Sequence, residues 1–230
     1  MFLQENINAV RERVSKAALA AGRKAEDIIV LGATKTVSPD NINIAVDNGI
    51  INIGENRVQE LCDKYNSVSK NAIWHFIGHL QTNKVKYIID KVQLIHSVDS
   101  EKLLDEIDRQ AQKHGICADV LLEVNQAGEA SKFGLDPENV LRVVENNEKR
   151  NNVKIKGLMT VGPICHTKTE IRRNFSNLYK LYLDIGQKKY NNSNMVCLSM
   201  GMSGDFEEAI LEGANIVRLG SIIFGNRIYK

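Results

Sequence analysis

A lysine stands at the end of the first apolar run of the chain, Lys35 in "IIVLGATKTVSP", residues 28–39. An amine leaving a strand has two readings. It reaches water, as surface lysines do, or, kept neutral in a desolvated pocket, it attacks a carbonyl carbon. At the far end, "SMGMSGDFEEAILEGANIVRLGSIIFGNR", residues 199–227, holds two turns rich in small residues. Ser199, Gly201, Ser203 and Gly204 in one turn, and Gly220 and Ser221 in the other, let backbone N–H groups approach an anion. A helix beginning near Asp205 or Phe206 adds its dipole. Arg218 alternates onto the same strand face as Ile216 and Gly220. There it forms either a salt bridge on a rim or a hydrogen bond to a ligand held between the other two features. The chemistry implied is covalent capture of a carbonyl compound with an anionic tail.

These residues meet only if the fold carries both ends of the chain to one end of one sheet. Strand-length apolar runs alternate with stretches of helical period. Eight runs are expected to be strands: 28–33, 50–53, 73–77, 93–97, 119–125, 155–159, 195–199 and 216–219. Ser38-Pro39 and Asp136-Pro137 mark helix starts, because each pairs a capping side chain with a proline at the first helical position. Gly49, Gly115 and Gly213 mark helix ends. Residues 167–188 place Ile171, Phe175, Leu178, Tyr182 and Ile185 on one helical face. Eight β-α repeats in 230 residues predict an α/β fold, a closed (β/α)8 TIM barrel over residues 1–230 as a single domain, with its site at the carboxyl ends of the strands. An extra amphipathic helix bearing Ile7, Val10, Val14 and Ala18 precedes the first strand and is expected to cover the barrel floor. The competing doubly wound sheet wants G-x-G-x-x-G after its first strand, and "GATKTVSP" does not supply it.

Composition narrows the role. The chain is 43% hydrophobic and 25% charged, with a net charge of +2. Acids and bases are mixed along its length, which argues against a nucleic-acid binder. Cys62, Cys117, Cys165 and Cys197 lie far apart without a C-x-x-C pair, so free thiols in a reducing compartment are expected. No run approaches membrane-spanning length and the amino terminus lacks a signal-peptide pattern, so a cytoplasmic location is expected. His75 and His79 sit on a strand and its exit with no H-E-x-x-H around them, so no metal site is predicted. His75 reads as a satisfied histidine at the sheet, and Trp74 and Phe76 as core.

A lysine on strand one, an anion cradle across the mouth and an arginine between them match the three handles of pyridoxal 5'-phosphate: aldehyde, phosphate and ring nitrogen. In that reading Lys35 forms a Schiff base, and its pKa is expected below the free value of roughly 10.4. The segments "ATKTVSP", "GENRVQE", "WHFIGHLQTNK", "EVNQAGEASKFG", "GLMTVGP" and "SMGMSGDFEEAILEGANIVRLGSIIFG" follow one another across nearly the whole chain. Together they resemble the YggS/PROSC family of pyridoxal-phosphate-binding homeostasis proteins. The resemblance implies a barrel like the alanine racemase N-terminal domain, with Lys35 holding the cofactor. It also implies phosphate contacts from Ser203, Gly220 and Ser221, helped by a turn formed by Met200, Gly201 and Met202. Arg218 would meet the pyridine nitrogen, and Asn56, in "GEN", would lie beside the cofactor. Family members vary at the position of His79. Lys132, in "GEASKFG", reads either as a rim cation for an anionic ligand or as a solvated loop lysine.

Racemisation on this fold needs acid-base groups on both faces of the cofactor. Lys35 serves one face. The opposite base of alanine racemases is a tyrosine from a second, β-rich domain, and no such domain is expected in a sequence that stops at Lys230. An arginine at the ring nitrogen also leaves that nitrogen unprotonated, which weakens the electron sink. The expected function is therefore intracellular pyridoxal phosphate homeostasis without substantial catalysis, in which a monomer buffers the cofactor and supplies apoenzymes. The alternatives are a pyridoxal-phosphate-dependent amino-acid racemase and a cofactor-free Schiff-base aldolase, although aldolase barrels carry their lysine on a later strand.

Overall fold

Eight parallel strands close into a barrel in chain order in the computed structural model, which describes residues 2–126, 128–129, 132–162 and 167–225. They are β1 (Ile29–Ala33), β2 (Asn52–Glu55), β3 (Ile73–Phe76), β4 (Leu94–Val98), β5 (Ala118–Glu123), β6 (Val153–Met159), β7 (Ser193–Met202) and β8 (Ile216–Leu219). The barrel closes where β1 pairs with β8, with Leu31 opposite Arg218 and Gly32 opposite Leu219. That closure brings the two ends of the sequence to one mouth. Period-two alternation sorts the side chains. Ile53, Phe76, Ile95, Leu122, Leu158, Leu198 and Val217 pack outward beneath the helices, and Leu31, Leu94, Leu121, Met159 and Ile216 form a second cluster inside.

Every expected run overlaps a strand, and two differ in a way that matters for the site. β2 lies two residues further along than its apolar run, so Asn56 follows directly on its carboxyl end. β7 continues to Met202, so the segment from Met200 to Met202 is strand and not the turn expected from its small residues. The cause is a bulge. Ser199 faces Ile216 and Met202 faces Arg218, so β7 uses one more residue than β8 over that stretch. Gly201 absorbs it at φ 93°, and a Cβ there would lie 2.6 Å from Ala209 Cβ.

The helices are α1 (Phe2–Ala20), α2 (Pro39–Asp47), α3 (Val58–Tyr65), α4 (Glu101–His114), α5 (Pro137–Asn146), α6 (Lys168–Gly186), α7 (Phe206–Leu211) and α8 (Ser221–Phe224). Ser38 caps α2 by accepting from the Asn41 N–H, with Pro39 in the first turn. Thr167 and Glu170 form a reciprocal capping box on α6. α1 does not lie across the floor. It packs against α2, α7 and α8, with Ile7, Val10, Val14 and Ala18 in the outer core, and Asn6 Nδ2 donates to Ile223 O at 3.0 Å. The physical reason is the brevity of α8. One turn cannot shield the β8–β1 seam, and α1 supplies the missing apolar cover.

Candidate functional site

Just past the first strand, Thr34 and Thr36 flank Lys35, and each is held by a glutamate. Thr34 Oγ1 donates to Glu55 Oε1 at 2.8 Å, and the Thr36 N–H donates to Glu60 Oε2 at 2.8 Å. Lys64 ties these together: its Nζ donates to Thr34 O at 3.0 Å, Glu55 Oε1 at 2.8 Å and Glu60 Oε2 at 3.0 Å. Thr36 adopts φ 65°, the left-handed region that disfavours a β-branched residue. The Glu60 contact holds it there. The backbone on both sides of Lys35 is thus clamped by α3 and the end of β2, and its half-buried side chain lines a cavity of about 310 Å³. Burial raises the Glu55 carboxyl above its usual range, and the Lys64 ammonium opposes that rise.

Gly220 and Ser221 line the same cavity, with Ala33, Asn41 and Phe224. The Gly220 N–H donates to Ser203 Oγ at 3.2 Å, so the exits of β7 and β8 meet. Small-molecule sites span roughly 300–1,000 Å³. The residues present therefore suit a compact carbonyl ligand with an anionic tail: an amine at one side, two small-residue exits at the other. Within the preceding segment the roles divide. Met200 is fully buried in the outer core, the Met202 N–H is taken by Asp205 Oδ1 at 2.6 Å, and Gly204 is exposed. Ser199 does not join the turn at all. Its side chain points into the barrel, because it alternates along β7 with the outward Leu198 and Met200.

Arg218 is not on a rim. It is 5% exposed; Nη1 donates to Ser199 Oγ at 2.8 Å and Nη2 to Thr160 O at 2.8 Å. Burial pulls its pKa down to about 10, against the attraction of Glu123 and Asp205, so it stays cationic near neutrality. Burial pushes the Glu123 carboxyl up to about 7, with Arg218 pulling the other way, and raises Asp205 likewise. None of Glu123, Thr160, Glu55 or Lys64 stood out in the sequence. Their only local signal was a polar residue on or just past a strand, or one helical turn from a motif.

Asn56 and His79 line a neighbouring groove of about 670 Å³ with Arg57, Lys84 and Tyr87, not the Lys35 cavity. Asn56 Oδ1 is buried without a hydrogen-bond partner among the described residues. Gly78 lets the β3 exit pass against it, since a Cβ there would sit 2.2 Å from Asn56 O. His79 stacks on Phe133 with centroids 3.7 Å apart, and its Nδ1 lies 3.1 Å from Asp99 Oδ2. Lys132 is neither solvated nor a loose rim cation: it donates to Gly162 O at 2.8 Å and pairs with Glu129 at 3.3 Å. Among the described residues no group of His, Cys, Asp or Glu could hold a metal ion, Cys62, Cys117 and Cys197 are unpaired, and no helix is long and apolar enough to cross a membrane. Cys165 lies outside the described residues.

Comparison with known proteins gives concordant results. The family model of the alanine racemase N-terminal domain matches residues 2–227. The sequence is 46% identical over 226 residues to the pyridoxal phosphate homeostasis protein of Aquifex aeolicus, covering 98% of each chain. The structure of PipY from Synechococcus elongatus with PLP bound is similar at a TM-score of 0.84 and 27% identity, over 97% of this chain and 100% of that one. A Clostridium difficile alanine racemase in complex with cycloserine shares the fold at a TM-score of 0.75 and 14% identity, with 100% of this chain covering 60% of that chain.

Proposed function

The chain belongs to the alanine racemase N-terminal domain family, and from that membership we propose that it is a pyridoxal 5'-phosphate homeostasis protein. It is a one-domain barrel, residues 1–230, that holds the cofactor, buffers its free concentration and passes it to apoenzymes. The observation that carries this reading is the single cavity lined by Lys35 on one side and by Gly220 and Ser221 on the other. When bound, pyridoxal phosphate supplies an aldehyde for an amine, an acceptor nitrogen in its ring and a dianionic anchor. Lys35 is the covalent anchor, and the Thr34 and Thr36 clamp fixes where its side chain leaves the strand. Ser203, Gly220 and Ser221 hold the phosphate, backed by the stretch from Met200 through Gly201 to Met202. Arg218 donates to the ring nitrogen, and Asn56 lies alongside with its unpartnered oxygen.

A holding role fits this site better than turnover. Of the described residues lining that cavity, only Lys35 has a side chain that serves as a base, whereas racemisation needs one on each face. A cationic Arg218 keeps the ring nitrogen an acceptor and so weakens the electron sink. The protein acts as a monomer in the cytoplasm, a setting that suits the unpaired Cys62, Cys117 and Cys197. Borohydride reduction of the yellow holoprotein followed by peptide mass mapping tests the assignment. A phosphopyridoxyl group is expected on Lys35, and Lys35→Ala should lose the visible absorption. Label on a different lysine refutes the site, and vigorous D/L exchange by pure protein would favour the racemase reading.

A further inference from the structure

Five side chains cross the barrel interior in one hydrogen-bonded line that holding a cofactor leaves largely without a task. Asn52 opens β2 at the floor, His75 lies on β3, His96 on β4, Ser199 on β7 and Arg218 on β8. His75 Nε2 is 3.1 Å from Asn52 Oδ1, and His75 Nδ1 is 3.0 Å from His96 Nε2. His96 Nδ1 is 3.0 Å from Ser199 Oγ, which also accepts from Arg218 Nη1 at 2.8 Å. His96 and Ser199 are 0% exposed, His75 4% and Arg218 5%, so the line is shielded from bulk water up to Asn52, which is half-buried. Burial lowers the His75 pKa to about 4 and that of His96 well below its usual value. Each ring is therefore neutral near pH 7 and carries one N–H.

The far end of the line fixes every proton in it. Asn52 Oδ1 has no hydrogen to give, so His75 Nε2 donates and His75 Nδ1 presents a lone pair. That lone pair accepts from the His96 Nε2–H, which leaves His96 Nδ1 as an acceptor. Ser199 must then point its hydroxyl hydrogen at His96, and its lone pairs face Arg218. With Nη2 bonded to Thr160 O, the guanidinium is tied at two of its five N–H donors.

We infer that Asn52, His75, His96 and Ser199 form a positioning relay that orients the Arg218 guanidinium from the barrel floor. Resting on the proposed function, the relay keeps the remaining donors of Arg218 directed at the ring nitrogen of pyridoxal phosphate. Its members are positioning residues, since Asn52 stands at the opposite end of β2 from Asn56 and touches no ligand.

Nitrogen-15 NMR of the histidine rings and of Arg218 in cofactor-free protein tests this without any bound group. Wild type should show His75 and His96 as Nε2–H tautomers at neutral pH, with Arg218 Nη protons resolved on cooling. Asn52→Leu should mix the His96 tautomers and collapse the Arg218 signals. Ser199→Ala should collapse the Arg218 signals while the histidine pair keeps its pattern. In both variants the dissociation constant for pyridoxal phosphate should rise about tenfold, the scale of one lost charge-assisted hydrogen bond, with circular dichroism unchanged. An Nδ1–H or doubly protonated His96 in wild type, or resolved Arg218 signals in both variants, overturns the relay. Wild-type protein that fails to bind pyridoxal phosphate refutes the proposed function instead, and the Arg218 signals still decide the relay.

Discussion

Lys64 organises the site at the residue scale although it is not expected to touch a ligand. Its ammonium neutralises Glu55, whose side chain is 0% exposed, while its own is 12% exposed. Removing one partner of such a pair leaves an uncompensated buried charge, at a cost of about 3 kcal/mol or more. Lys64→Met should therefore lower the melting temperature and release the Thr36 backbone, slowing reaction of Lys35 with pyridoxal phosphate. Unchanged stability and unchanged reaction rate would refute the clamp. Glu123 makes a second, pH-dependent prediction. Its folded pKa of about 7 lies above the ordinary 4.5, so the folded chain holds a proton that the unfolded chain has released. Stability from this group is present below the unfolded value and is lost as pH rises toward about 7, by about 3 kcal/mol in full. Glu123→Gln should flatten the fall in melting temperature between about pH 5 and about pH 8. An equally steep fall in the variant would show that burial of Glu123 is not its source.

The β7 bulge sets this mouth apart from a regular barrel rim, as does a second register shift between Ile95 and Val98 on β4. The β7 bulge follows Ser199, whose inward hydroxyl accepts from Arg218, and it carries Ser203 to the Gly220 N–H. Gly201 makes it possible, with φ 93° and α7 packed where a Cβ would point. Gly201→Ala should cost about 2–4 kcal/mol from the strained backbone and overpacking together. It should also weaken phosphate retention, measured with inorganic phosphate, because α7 must shift. Wild-type stability in the variant would argue against the close packing. α1 illustrates the same point about elements: its apolar stripe was plain in the sequence, but its position was not, because a stripe states that a face is buried and not against what. The length of α8 decided that.

For the whole molecule, the closing pair β1·β8 is the decisive contact. It places Lys35, Gly220 and Ser221 in one cavity, so binding there should stabilise the entire barrel. With ligand at about one hundred times its dissociation constant, the gain is about 2.7 kcal/mol. Thermal melts should rise with pyridoxal phosphate in wild type and rise far less in Lys35→Ala at the same concentration. Equal shifts in the two proteins would mean that the stabilising site lies elsewhere.

By itself the sequence determined the barrel and the alternation of inner and outer faces, and it marked Lys35, Gly220, Ser221 and Arg218 as candidates for the mouth. Those depend on periodicity and on residue types that local chemistry makes legible. Only the tertiary structure decided that β7 runs on through Met202, that α1 covers the seam beside the short α8, and that Arg218 is tethered inside the barrel and not paired at a rim. It also decided that Lys64 braces Lys35 and that Asn52, His75 and His96 lead to Arg218. Each of these joins residues on different strands or helices. Register and closure set such distances, and no local pattern in the chain encodes them.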